Sequence, residues 1–130
     1  MADLYVVDTH VLIWYFIGSK RLRPVLKDKI DETRNRNGRL LVPTIVLVEA
    51  LDVAEKRKVQ FDFSQMYLLV RQEPDFEIVG LTSEILDQVI QVKNVPELHD
   101  RIIVATARFY DAGILTKDRI ILGSGEVQSL

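Results

Sequence analysis

The chain has 130 residues, 48% of them apolar, and a formal net charge of −2. That length suits a single domain over residues 1–130 with a core of its own, and the apolar content argues against global disorder. The sequence has no cysteine and only two histidines, His10 and His99; this excludes disulfides, thiol catalysis, cysteine-held zinc and a three-histidine zinc site, so a metal here must be held mainly by carboxylates.

In chain order, Leu4 to Val7 is a short β-favouring apolar run of the length of a buried strand. Asp8 and Thr9 follow, and then a second apolar run from Val11 to Ile17. An unpaired carboxylate between two buried segments is costly. The economical solution is a strand ending at Asp8 and a helix from Thr9 to Ile17, capped by Asp8 or Thr9. Gly18-Ser19 breaks that helix, and Ser19 is a plausible cap for the next one. Leu22, Val25, Leu26 and Ile30 recur at helical spacing, with Pro24 in the first turn and Gly38 suited to a left-handed end.

Leu40 to Val42 reads as a second strand closed by Pro43, and Thr44 as the cap of a helix reaching about Arg57. Glu49 falls within that helix's apolar stripe. Asp62 and Gln65 form a capping-box pattern for a further helix, with Phe61 and Met66 as its staple and Pro74 as its stop. Phe76 to Val79 is a third strand. Thr82 or Ser83 caps a helix to about Lys93, and Leu98 to Tyr110 is a longer helix ended by Asp111-Ala112-Gly113. Ile114 to Thr116 is the fourth strand, leading straight into Lys117-Asp118, and Val127 to Leu130 is a candidate fifth, edge strand. This alternation predicts an α/β fold, a three-layer α/β/α arrangement around a parallel sheet of four or five strands.

The longest apolar stretch falls far short of the ~20 residues that span a bilayer, and the N-terminus lacks the basic stretch and cleavage site of a secretory signal. The expectation is a cytoplasmic protein with no membrane contact. Between Lys20 and Arg39 stand eight basic residues (Lys20, Arg21, Arg23, Lys27, Lys29, Arg34, Arg36 and Arg39) against Asp28, Asp31 and Glu32. The run reads either as a solvated helix face or as a phosphate-steering surface.

Asp118 repeats the grammar of Asp8: each follows a short apolar strand, at the edge where open α/β sheets keep their ligand crevice. Asp100 lies in the first turn of the helix leading to the last strand. Each acid has an ordinary reading as a cap, a dipole partner or a turn residue. Brought together, four carboxylates would need raised pKa values or bound cations, and the hard divalent ions Mg²⁺ and Mn²⁺ suit such oxygen ligands. A receiver-type phospho-acceptor domain would need two adjacent acids after the first strand, where Asp8 stands alone. A phosphatase of the Asp-x-Asp kind would need an acid at the position of His10.

Three stretches, Val7 to Leu12, Val42 to Leu51 and Leu98 to Ile121, together resemble a PIN-domain ribonuclease, and among these the VapC-like toxins of toxin–antitoxin pairs. The resemblance covers essentially the whole chain. It implies a metal-binding cup of Asp8, Glu49, Asp100 and Asp118, with Thr9 and Thr116 holding a carboxylate or phosphate behind them. It implies Mg²⁺- or Mn²⁺-dependent endoribonuclease cleavage, in which a metal-activated water attacks phosphorus and leaves a 5′-phosphate. Arg101 and Arg108 become candidate RNA contacts. The implied partners are RNA, a cognate antitoxin protein and a second copy of the chain in a homodimer. The alternatives within the resemblance are a housekeeping RNA-processing nuclease and a silent domain that only binds RNA or a partner. One departure is Glu97-Leu98-His99, which stands where many relatives carry an Asp-Pro pair, and leaves open whether Glu97 adds an acid. Asp52, three residues after Glu49, is a second candidate for the same place.

Overall fold

A computed structural model describes residues 3–118 and 122–123. Its elements run β1 (Leu4–Val7), α1 (Thr9–Ile17), α2 (Pro24–Asn35), β2 (Arg39–Pro43), α3 (Thr44–Glu55), α4 (Phe63–Gln72), β3 (Phe76–Val79), α5 (Ser83–Gln91), α6 (Leu98–Phe109) and β4 (Gly113–Leu115). Among the described residues these strands form one four-stranded sheet in the order β3-β2-β1-β4, parallel at every pairing. The sheet with its six helices is the three-layer α/β/α arrangement. The possible fifth strand at Val127–Leu130 lies outside the described residues.

The strand order decides where a site can form. From β1 the chain moves outward to β2 and β3 on one side, then crosses to β4 on the other. The carboxyl ends of β1 and β4 therefore flank the switch point, where neighbouring connections leave in opposite directions and open a crevice. Val7 pairs with Leu115 in register, and the Asp8 amide donates to the Leu115 carbonyl at 3.1 Å. The next residues, Asp8 and Thr116, are thus side by side. Val6, Val7, Leu40, Leu41, Val42, Ile114 and Leu115 are all buried, as expected of strands covered on both faces. That burial holds the sheet edge as a fixed platform.

Local chemistry explains most of the helix ends. Asp8 caps α1 by accepting from the Val11 amide, Asp62 caps α4 through Gln65, and Thr82 caps α5 through Ile85. Gly18 closes α1 in the left-handed region at φ 67°, with the Ser19 amide reaching back to the Trp14 carbonyl at 2.9 Å. Three expectations need correction. Ser19 does not cap α2; its hydroxyl accepts from the Arg21 amide in the preceding turn, and α2 starts at Pro24, whose preset φ and missing N–H suit that position. Thr44 is the first residue of α3 and caps nothing, because Pro43 holds the cap position.

The third correction concerns Gly38. The left-handed residue after α2 is Asn37, at φ 58°. Gly38 is required for space instead: a Cβ there would lie 2.7 Å from both the Asp3 carbonyl oxygen and Thr33 Cγ2. Gly38→Ala is expected to destabilise the fold by roughly 1–3 kcal/mol, the usual cost of overpacking. A lower urea midpoint at unchanged slope would register it, and an unchanged midpoint would show that the chain can yield there.

Candidate active site

The carboxyl edge of β1 and β4 opens into a cavity of about 180 Å³ lined by Asp8, Thr9, His10, Glu49, Glu97, Asp100, Ile103, Lys117 and Asp118. Four separate parts of the chain supply its acids. Asp8 comes from the β1–α1 junction, Glu49 from the middle of α3, Glu97 and Asp100 from the start of α6, and Asp118 from the segment after β4.

Asp8 is the fixed centre. It is buried, with one oxygen accepting from the Val11 amide at 3.1 Å. The other accepts a short hydrogen bond from Thr116 Oγ1. Thr116 is itself buried, and its hydroxyl oxygen accepts from the Asp118 amide at 2.9 Å. One threonine therefore orients Asp8 and anchors the backbone of Asp118. Burial raises the pKa of Asp8, with the Thr116 and Val11 hydrogen bonds and the Lys117 charge opposing that rise. Thr9 does the matching work on the other wall, donating to Glu49 Oε1 at 3.0 Å across 40 residues of sequence. His99 Nδ1 stands 3.9 Å from the second oxygen of Glu49.

Asp100 carries the electrostatic strain of the group. Its pKa is pushed up to about 7, first by burial, then by the charge of Asp118 and a hydrogen bond shared with it, and further by Glu97 and Glu49. These are the marks of acids placed closer than their ionised forms favour. Burial, followed by the Lys117 charge, pushes His10 below its ordinary value, so the imidazole is neutral at pH 7 and adds no positive charge.

All four acids expected from the sequence line this one cavity, and Thr9 and Thr116 stand behind them. Glu97 joins the acids: it holds the cap position of α6 without capping through its side chain, so its carboxylate is available to the cavity it lines. Asp52 does not join. It pairs with Lys56 at 3.1 Å and lines a neighbouring groove with Ile45, Val48, Val53 and Lys58. Arg101 and Arg108 are not among the residues lining the acid cavity; both are half-buried on α6, and the buried Nε of Arg101 has no hydrogen-bond partner. The cation lining the cavity is Lys117, whose only signal in the sequence is its place between Thr116 and Asp118.

The donor set is one that hard divalent ions prefer: carboxylate oxygens with hydrogen-bonded supports and no sulfur. Among the described residues no three acidic or histidine side chains are grouped closely enough to hold a metal ion between them. The strain on Asp100 is what a bound dication would relieve.

Residues 5–122 match the family model of the PIN domain. The chain belongs to the PIN domain family. No curated protein matches it at the sequence level. Among solved structures it is similar to VapBC2 from Rickettsia felis bound to a promoter DNA fragment, at 12% identity and TM-score 0.75, covering 98% of this chain and 97% of that one. It is similar to VapBC-1 from nontypeable Haemophilus influenzae at 18% identity and TM-score 0.69, covering 98% and 96%. It is also similar to VapC20 from Mycobacterium tuberculosis, a sarcin–ricin loop cleaving toxin, at 15% identity and TM-score 0.65, covering 95% and 98%. At these identities the likeness is one of fold. The acid cup of this PIN chain stands on its own geometry.

The support behind the cup is testable. Thr116→Val removes the hydroxyl that donates to Asp8 and accepts from Asp118, leaving a buried carboxylate short of a donor. Stability should fall by about 1–3 kcal/mol, while Thr116→Ser should keep both bonds and most of the stability. Matching urea midpoints for the two variants would remove the hydroxyl from the account.

Proposed function

We propose that this PIN domain is a Mg²⁺- or Mn²⁺-dependent endoribonuclease and the toxin of a toxin–antitoxin pair. The observation that carries the reading is the convergence of Asp8, Glu49, Glu97, Asp100 and Asp118 on one cavity at the switch point of the sheet. The fold shared with VapBC proteins from several bacteria supports a cognate antitoxin as partner, and the likeness to VapC20 supports RNA as substrate. A homodimer and a cytoplasmic setting belong to the same proposal; no helix among the described residues is long and apolar enough to cross a membrane.

In this reading Asp8, Asp100 and Asp118 hold the metal, with Glu97 at the rim. A bound dication supplies neutralisation of phosphate charge and a water of lowered pKa. The protein does the rest. Thr116 and the Val11 amide fix the orientation of Asp8, one of the carboxylates that would hold the metal. Glu49, held by Thr9, accepts a proton from the attacking water and orients it toward phosphorus. The P–O3′ bond breaks as the new bond to phosphorus forms; O3′ departs with the upstream fragment and takes a proton from solvent, and the downstream fragment keeps the phosphate on its 5′ end. Lys117, at the lip of the cup, meets the phosphate that the carboxylates alone would repel.

The test is cleavage of a mixed RNA pool by the purified chain with Mn²⁺, Mg²⁺ or EDTA, beside Asp8→Asn. Metal-dependent fragments bearing 5′-phosphates, lost in EDTA and in the variant, are expected. Cleavage indifferent to both would return the acids to caps and turn residues. Growth arrest on expression, relieved by Asp8→Asn, is the expected sign of a toxin as against a housekeeping nuclease.

A further inference from the structure

The basic run from Lys20 to Arg39 separates into two groups once its partners are known. Lys27 pairs with Asp31, Lys29 with Glu32, Arg34 with Asp75 and Arg39 with Glu77. Arg34 is also tied to the Tyr15 hydroxyl at 3.2 Å. These cations are already paired with carboxylates. Lys20, Arg21, Arg23 and Arg36 are different: all four are exposed, none has a carboxylate partner among the described residues, and of the four Arg21 and Arg23 share one cavity.

Those two arginines line an open cavity of about 250 Å³ together with Trp14, Leu26, Lys117 and Leu122. Trp14, Leu26 and Leu122 give it apolar walls, and three cations from two segments of the chain surround it. Lys117 lines this cavity and the acid cup alike, with its Nζ 5.7 Å from the centre of the Trp14 ring. The two cavities are therefore neighbours joined at one lysine, one built of acids and the other of bases. A cationic rim over apolar walls fits a nucleotide, with phosphate at the rim and sugar or base inside. An acidic peptide would match the charge, but it would gain nothing from adjacency to a metal-binding cup.

The geometry points to Arg21 and Arg23 as a phosphate-binding subsite that, next to Lys117, holds single-stranded RNA one step away from the scissile phosphodiester. This inference rests on the nuclease reading above and adds to it a path for the strand: across Lys117 and into the Trp14 cavity. It gives a chain of net charge −2 a local means of holding a polyanion.

The experiment reads binding and cleavage separately. Binding is measured by fluorescence anisotropy with a labelled twelve-nucleotide single-stranded RNA and Mn²⁺, using the 130-residue chain carrying Asp100→Asn so that cleavage does not interfere. Arg21→Ala/Arg23→Ala is added to that background and compared with Arg36→Ala/Arg71→Ala, which removes the same charge from exposed positions outside the cavity. The subsite predicts at least a tenfold loss of affinity for the first pair and less than a twofold loss for the second. It also predicts a salt dependence shallower by about 1.4 in log–log slope for the first pair alone, from two phosphate contacts at ~0.7 each on a single strand. In cleavage by the otherwise unaltered chain, the Arg21/Arg23 variant should raise KM and leave kcat nearly unchanged. Equal losses for the two pairs, no loss for the first, or no RNA binding at all would each overturn the subsite. The nuclease reading is decided apart from it, by whether the unaltered chain cuts RNA at all.

Discussion

Asp100→Asn is expected to make the metal-free protein more stable at pH 8 while reducing cleavage at least ~10²-fold. The two effects share one cause. Asp100 sits in the first turn of α6, where the helix dipole favours a negative charge, yet its pKa is raised to about 7 because burial and then Asp118 oppose ionisation. Between the ordinary value of 3.8 and about 7 the folded protein holds a proton that the unfolded chain has released. Native stability from this group therefore falls as pH rises through that window, and the penalty is complete above it. Asparagine has no such slope, and its amide can still donate to Asp118. The variant should melt at nearly the wild-type temperature at pH 4 and a few degrees higher at pH 8. Losing a ligand that the metal needs should cost more in cleavage than the 10–100-fold typical of an outer partner. A variant that melts no higher than wild type at pH 8, or that still cuts, would separate Asp100 from the cup.

The elements were legible in the sequence wherever their signals are local. A strand ending on Asp8, caps at Asp62 and Thr82, and Pro24 opening a helix each depend on residues within one turn, and each is in place. Features that depend on tertiary packing leave no such local signal. Gly38 reads from sequence as a left-handed helix end, but it is required by Asp3 and Thr33, whose approach is set by tertiary packing. The basic run could not be divided into engaged and free cations from sequence, because Asp75, which engages Arg34, lies 41 residues away.

The site divides along the same line. Asp8, Glu49, Asp100 and Asp118 could be placed on element ends, and family resemblance joined them into one cup. What the sequence could not supply is the strand order. Only with β4 beside β1 does Thr116 reach Asp8 across 108 positions, and only then does Lys117 fall between the acid cup and the Trp14 cavity. Arg101 and Arg108, which the family resemblance offers as RNA contacts, follow Asp100 along α6 but are not among the residues lining the acid cavity. A helix advances about 100° per residue, so nearness in sequence to a site residue says little about facing the same way.

Mn²⁺ should raise the melting temperature of the wild-type chain, and more at pH 8 than at pH 6. Ligand that binds only the folded state adds about 2.7 kcal/mol at a hundredfold excess over Kd, roughly ten degrees for a domain of this size. The pH dependence follows from Asp100. Below about 7 its carboxyl is protonated and shares that proton with Asp118, so the metal must displace it to bind. Apparent affinity should climb by up to tenfold per pH unit from 6 to 7 and level off above, if this proton governs binding. In Asp100→Asn the climb should be largely lost along with much of the affinity. Mg²⁺ should give the same pattern at higher concentration. A Mn²⁺ shift of equal size at pH 6 and pH 8, or one retained in full by Asp100→Asn, would place the ion somewhere other than among these carboxylates. Such a result would also remove the reason the fold has to keep five acids around one cavity against their mutual repulsion.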